Sequence, residues 1–335
     1  MSSDPDLRTT AAAMVRPGTG ILAADESVAT CSGRLEKLGI DPGEPSRRAW
    51  RELLIGAPGI AEHVSGVILF DETIRQQTDE GVAFPKLLTS AGILPGIKVD
   101  TGAKPLAGAP DETVTEGLDG LRERIVEYRE LGARFAKWRA VITIADGRPS
   151  RGAVVANAHA LARYAALCQE GGLVPIVEPE VLMAGDHDLA RCQEVTGDVL
   201  SEVFAQLGLA AVDLAGMVLK PSMVLPGSDA PAVSAATVAA ATVECLRATV
   251  PAAVAGVAFL SGGQGPALAT EHLAAMVALG PHPWPLTFSF GRAIQDDVLV
   301  MWAGDDANAG SARGVLLERV RANGEATLAM AAPAP

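Results

Sequence analysis

Apolar runs of four to eight residues recur along the chain, at residues 20–24, 64–70, 96–99, 135–142, 174–181, 217–224, 257–260 and 286–290. Each is set off from the next by a stretch long enough to hold a helix. Several of those stretches are amphipathic. Residues 117–131 open after Thr115 and carry Leu118, Leu121, Ile125 and Tyr128 on one helical face, and residues 157–170 and 190–207 behave in the same way. A repeated βα unit implies a parallel sheet. Eight such units predict an α/β fold of the closed kind, a single (β/α)8 TIM barrel. The alternative, an open doubly wound sheet, lacks a glycine fingerprint opening its first unit. No linker rich in Pro, Gly or Ser divides the chain. Residues 1–335 are therefore expected to form one domain, with a short N-terminal extension and a flexible C-terminal tail from about residue 325.

Composition narrows the class. Of the 335 residues, 49% are hydrophobic but only 4% aromatic, so Ala, Val, Leu and Ile must build the core. The net charge of −13 argues against nucleic acid as a partner, and an anionic substrate would need a local positive pocket. Cys31, Cys168, Cys192 and Cys245 are widely and unevenly spaced and read as free thiols of a reducing compartment. The acidic, polar start has no signal-peptide core. The uncharged stretch 248–270 carries Pro251, Pro266 and several glycines and is rejected as a membrane span. A soluble cytoplasmic protein, with no membrane partner, is expected.

Charged residues inside the apolar runs carry the candidate chemistry. The chain has 27 basic residues, of which six are Lys, and Lys220 is the only Lys after Lys137. It lies within GMVLKPSMV, residues 216–224. An unpaired ammonium in an apolar interior is costly, whereas a buried Lys can lose its proton and attack a carbonyl, which Arg cannot. A core ion pair, or a head that reaches solvent, is the plainer account of that segment alone. Two further runs shift the balance. Lys137 and Arg139 share one strand face, as do Glu178 and Glu180, because side chains two apart on a strand point the same way. Asp25 and Glu26 end the first run, and Lys98 and Asp100 the third. Ser261, Gly262, Gly263 and Gln264 follow the seventh, and Ser289, Gly291 and Arg292 lie at the eighth. These are the C-terminal strand ends where such barrels carry their sites, and the last two loops are where they often hold phosphate. The histidines His63, His159, His187, His272 and His282 lack paired ligand spacing, so neither metal nor cofactor is expected. His187 reads as part of a capping loop, Trp138 as packing under a helix, and Asp111, Glu112, Asp305 and Asp306 as solvated loop charges.

Taken together, GILAADES (20–27), GVILF (66–70), GIKVD (96–100), GLDGL (117–121), FAKWR (135–139), IVEPE (176–180), GDHDL (185–189), LKP (219–221), FLSGGQ (259–264) and GRA (291–293) stand in the order of one known family. The chain resembles the class I, Schiff-base fructose-1,6-bisphosphate aldolases over about residues 8–320. That resemblance implies an imine between Lys220 and the substrate ketone, with Glu178 shuttling protons and Glu180 in support. It implies that Lys137 holds an Asp25/Glu178 network beside the nucleophile, and that Asp25 takes the C4 hydroxyl proton as the C3–C4 bond breaks. Ser261, Gly262 and Arg292 would hold the C1 phosphate, with Gly263, Ser289 and Gly291 alongside. Arg34, Lys98, Arg139, Ser27 and Thr30 would receive the rest of the sugar and the C6 phosphate. A homo-oligomer, tetramer or dimer, is also implied. The alternatives are a Schiff-base aldolase or transaldolase-type enzyme for another phosphosugar, or a non-catalytic binding protein. The chain departs from the family pattern at Ser222, Thr30 and Phe290, where Asn, Ser and Tyr are usual. It also lacks the terminal tyrosine that assists proton exchange in animal members. Its only tyrosines, Tyr128 and Tyr164, fall in predicted helices.

Overall fold

A computed structural model describes residues 5–328. The strands are β1 (Gly20–Ala24), β2 (Val64–Leu69), β3 (Leu94–Lys98), β4 (Ala103–Pro105), β5 (Thr113–Thr115), β6 (Phe135–Ile142), β7 (Val174–Val181), β8 (Val218–Leu219), β9 (Val257–Phe259) and β10 (Leu286–Phe288). The helices are α1 (Pro5–Met14), α2 (Val28–Glu36), α3 (Glu44–Ile55), α4 (Asp71–Ile74), α5 (Phe84–Ser90), α6 (Leu121–Glu130), α7 (Arg151–Glu170), α8 (Leu189–Leu209), α9 (Ala235–Thr249), α10 (Pro266–Ala278), α11 (Arg292–Trp302) and α12 (Ala309–Ala326). One parallel sheet runs in the order β1-β2-β3-β6-β7-β8-β9-β10, and β4 and β5 form a separate hairpin. The sheet curls into a barrel: the Ala23 amide donates to the Phe290 carbonyl across the last seam at 3.0 Å. The predicted (β/α)8 architecture is the observed one.

Two apolar layers hold it together. The larger lies between strands and helices, where Trp138 is fully buried and stacks on Tyr164 of α7 at 5.5 Å. The smaller fills the N-terminal end of the barrel. There Leu7, Ala11 and Met14 of α1 pack beneath Ile21, Phe135, Ile176 and Val218. The N-terminal segment is thus in part a plug rather than an extension. Phe135 fits inside because β2 and β3 present glycines to it. A Cβ at Gly96 would stand 2.1 Å from the ring, far inside van der Waals contact. With one end filled, only the C-terminal mouth remains open for chemistry.

Several boundaries move for identifiable reasons. The run at 217–224 keeps regular strand form only at Val218–Leu219; beyond it the Lys220 amide donates to the Val177 carbonyl at 2.8 Å and the Pro221 carbonyl accepts from the Leu260 amide at 3.1 Å. Pro221 has no N–H to continue the ladder. The Ser222 hydroxyl replaces it, accepting from the Val181 amide at 3.0 Å and donating to the Val181 carbonyl at 2.9 Å. The helix expected from residue 117 begins at Leu121, because Gly117 (φ 126°) and Gly120 (φ 65°) are left-handed. Thr115 ends β5 instead of opening that helix. The second and third amphipathic helices are longer than expected, capped by Ser150 and Asp188. Glu112 is not a solvated charge: it is 7% exposed and accepts from the Ser150 amide at 2.7 Å. Asp305 caps a short turn through the Ala307 amide. Residues 325 and 326, expected in the tail, belong to α12, and residues 329–335 of that expected tail lie outside the described residues. Among the described residues no helix is long and apolar enough to cross a membrane. The four cysteines are free and buried.

Candidate active site

The barrel register assembles the polar centre. β6 and β7 pair with Arg139 beside Glu178 and Val141 beside Glu180, and β3 brings Lys98 level with Lys137. Alternation then turns Lys137, Arg139, Glu178 and Glu180 into the mouth and Trp138 away from it. Lys137 Nζ lies 2.9 Å from Asp25 Oδ2 and 3.0 Å from Glu178 Oε2, and Lys220 Nζ lies 3.3 Å from Glu178 Oε1. Two lysines therefore alternate with two acidic side chains in a chain Asp25–Lys137–Glu178–Lys220. All four are buried. Glu178 is ion-paired through both oxygens, which places it between Lys137 and the Lys220 nitrogen.

The charges tune one another. Burial pushes the Asp25 carboxyl up, but the charges of Lys137 and Lys220, with the Lys137 hydrogen bond, outweigh it and bring its pKa to about 2. Burial works against the Lys137 cation; Asp25, Glu178 and Asp100 overcome it and raise its pKa, so Lys137 stays an ammonium. The depressed Asp25 pKa has a consequence for stability. It contributes stabilisation that is fully present above its ordinary value of 3.8 and is lost as pH falls through about 2. Asp25→Asn is expected to flatten that part of the acid limb in a denaturant-unfolding profile. A limb that keeps its steepness in the variant would contradict the charge arrangement.

The chain of charges lines a cleft of about 1010 Å³, roomy enough for a phosphorylated sugar. Asp25, Glu178, Glu180, Lys137, Lys220 and Arg139 lie on its wall, with Lys98 and Arg34. Ser27, which caps α2, and Thr30 within it line the cleft, as do Ser261, Gly262, Ser289, Gly291 and Arg292 beyond the ends of β9 and β10. Gly263 is the one assigned residue that does not. It lies in the turn itself, left-handed at φ 98° after Gly262 at φ 60°, and a Cβ there would stand 3.6 Å from Arg292 Nη2. The cations differ in how far they are already engaged. Arg34 contacts Glu26 at 2.6 Å and Asp296 at 2.9 Å, Lys98 contacts Asp100 at 2.5 Å, and Arg139 is paired with Glu180. Arg292 has no ion pair or side-chain hydrogen bond within the described residues. It opens α11, whose first amides have no side-chain cap. A free guanidinium beside a helix N-terminus is a ready dianion site.

Other residues complete the wall without an assigned role from sequence. Asp100 accepts from Lys98 Nζ, from the Gly102 amide at 3.1 Å and from the Arg139 amide at 3.2 Å, so one carboxylate orients two strand ends. Its signal was its place two residues after Lys98. Arg124 and Tyr128 line the cleft from α6, with the Tyr128 hydroxyl donating to Asp71 at 2.9 Å. They read as ordinary positions of an amphipathic helix and nothing in the sequence set them apart. Glu26 is held by Arg34 and by the buried Arg51, which makes it a brace. His187 sits in the turn before Asp188, whose carboxylate caps α8. Phe290 is fully buried against Phe288 at 5.7 Å.

Similarity to known proteins runs the length of the chain. The family described as "Fructose-bisphosphate aldolase class-I" matches residues 6–333. The "Probable fructose-bisphosphate aldolase class 1" of Xanthomonas campestris pv. campestris is 54% identical over 324 residues, covering 96% of this chain and 97% of that protein. The fructose-bisphosphate aldolase of Schistosoma mansoni is 50% identical over 330 residues, 98% of this chain and 91% of its own. "Fructose-bisphosphate aldolase 6, cytosolic" of Arabidopsis thaliana is 50% identical over 324 residues, 96% and 90% of the two chains. Among solved structures, a fructose-bisphosphate aldolase from Plasmodium falciparum, in complex with TRAP and a small-molecule inhibitor, superposes with a TM-score of 0.96. It is 46% identical and covers 98% of this chain and 96% of that one.

Proposed function

The chain belongs to the class I fructose-bisphosphate aldolase family, and from that premise we propose that it cleaves fructose 1,6-bisphosphate reversibly through an imine at Lys220. The products are dihydroxyacetone phosphate and glyceraldehyde 3-phosphate. The observation that carries the residue assignment is the buried Lys220–Glu178–Lys137–Asp25 chain, with successive contacts of 3.3, 3.0 and 2.9 Å, at the open end of the barrel.

Each member has a role that its surroundings support. Lys220 Nζ attacks the C2 carbonyl, and Glu178 passes protons as the carbinolamine loses water to give a protonated imine. Glu180, paired with Arg139, supports the charge of that wall. The C4 hydroxyl proton goes to Asp25, the C3–C4 electron pair flows into the C=N⁺ bond, and the aldehyde leaves. What remains on Lys220 is a neutral enamine. The positive charge beside Asp25 therefore disappears as the bond breaks. Since that charge is one of the causes holding the Asp25 pKa down, its basicity rises in the step that delivers its proton. Lys137, kept cationic by its own partners, retains Asp25 in place throughout.

The C1 phosphate falls to Arg292, Ser261 and Gly262, with Gly263, Ser289 and Gly291 shaping that end of the cleft. Ser27, Thr30, Arg34, Lys98 and Arg139 receive the distal half. We place the enzyme in the cytoplasm, as for the relative named cytosolic, and as a homo-oligomer. Loss of a hydrogen bond to a charged group weakens binding by about ten- to a hundredfold. Arg292→Ala is accordingly expected to raise KM for the bisphosphate by about that factor, with imine formation still attainable at high substrate. Steady-state kinetics checks it; an unchanged KM would move the phosphate site elsewhere.

A further inference from the structure

A buried histidine stands behind the phosphate turn. His272, on α10, is 2% exposed, and its Nδ1 lies 2.5 Å from Gln264 Oε1. Gln264 Nε2 in turn donates to the Ser261 carbonyl at 2.9 Å and to Met223 Sδ at 3.4 Å. The Gln264 amide nitrogen also closes on the Ser261 carbonyl at 3.0 Å. Because Nε2 of Gln264 is spent as a donor on Ser261, its Oε1 is the acceptor, so His272 carries its proton on Nδ1. Burial lowers the His272 pKa, consistent with a neutral ring. Its Nε2 has no partner within the described residues. The imidazole thus bears the cost of an unsatisfied buried nitrogen while its other nitrogen fixes one amide.

The turn needs fixing. Gly262 and Gly263 are both left-handed, at φ 60° and 98°, and glycine is the residue least able to hold a conformation by itself. Met223 lies three residues after Lys220 on the same chain segment, so Gln264 links the turn to the strand extension that bears the nucleophile. We propose that His272 is a positioning residue for phosphate binding, acting through Gln264 to hold the Ser261–Gly262–Gly263 turn in register with Lys220. The proposal rests on the reading of that turn as the C1-phosphate site.

Two substitutions separate this role from simple packing. His272→Phe keeps the ring volume and removes the donor. His272→Asn places an amide nitrogen on Cγ, where Nδ1 was, and keeps it. The wild type, both variants, Gln264→Leu and Arg292→Ala are compared with fructose 1,6-bisphosphate and fructose 1-phosphate, which both carry the C1 phosphate. His272→Phe and Gln264→Leu are expected to raise KM for both sugars by the same factor, about three- to tenfold, with kcat within about twofold, as for loss of one neutral hydrogen bond. His272→Asn is expected to restore most of the binding. An unchanged KM in His272→Phe, a loss confined to kcat, or an Asn variant no better than Phe would overturn the proposal. If His272→Phe does not fold, Gln264→Leu alone decides by the same split. If Arg292→Ala raises KM and the other variants do not, the positioning role fails while the phosphate site stands. If Arg292→Ala also leaves KM unchanged, the phosphate reading itself falls.

Discussion

Lys220→Arg is expected to lose about four orders of magnitude or more in kcat for fructose 1,6-bisphosphate while keeping its fold, because it replaces the proposed amine nucleophile with a long basic side chain that cannot attack a carbonyl. A guanidinium does not lose its proton in a protein, so it cannot form the carbinolamine. It can still face Glu178, which in the native site has Lys220 at 3.3 Å on one oxygen and Lys137 at 3.0 Å on the other. The expected phenotype is a folded, charge-balanced, inactive protein. Single-turnover kinetics beside far-ultraviolet circular dichroism checks both halves. A variant that folds and turns over within about a hundredfold of wild type would place the covalent chemistry elsewhere.

Asp25→Ala is expected to lower kcat by about 10²- to 10⁴-fold, the usual range for a lost general base, with KM changed by little. Proton removal from the C4 hydroxyl matters only as the C3–C4 bond breaks, so substrate binding and imine formation should persist. Lys137 keeps Glu178 as a partner at 3.0 Å, so the variant does not strand an isolated buried ammonium. Pre-steady-state measurement of imine formation and of aldehyde release separates the two stages. Slowed imine formation with unaffected release would reverse the roles assigned to Asp25 and Glu178.

Much of this was legible before any fold was known, and for a physical reason. β6 and β7 are long and apolar, so a charge inside them stands out against their pattern, and the period of two assigns Lys137, Arg139, Glu178 and Glu180 to one face. Their ends coincide with the predicted ones. The regions read less well are those where local chemistry overrides the apolar pattern. Pro221 cuts the β8 ladder short and Ser222 substitutes for it. Left-handed Gly117 and Gly120 delay α6, and the three-residue strands of the β4–β5 hairpin are too short to show a period. Glu112 looked like a loop charge because its partner, the Ser150 amide, is distant in sequence. The same is true of Asp100 as an organiser, whose Arg139 amide partner comes from another strand; the His272–Gln264 contact is closer in sequence but forms only when the loop before α10 folds back along that helix. Arg34, Lys98 and Arg139 were legible as cations at the site, but their commitment to carboxylates was not.

The most direct test of the account is borohydride reduction of the native protein in the presence of dihydroxyacetone phosphate, followed by peptide mapping. One triose phosphate should be fixed to the peptide that contains Lys220, with activity lost in proportion to labelling. Labelling at another lysine, such as Lys137 or Lys98, or full inactivation with Lys220 unlabelled, would contradict it.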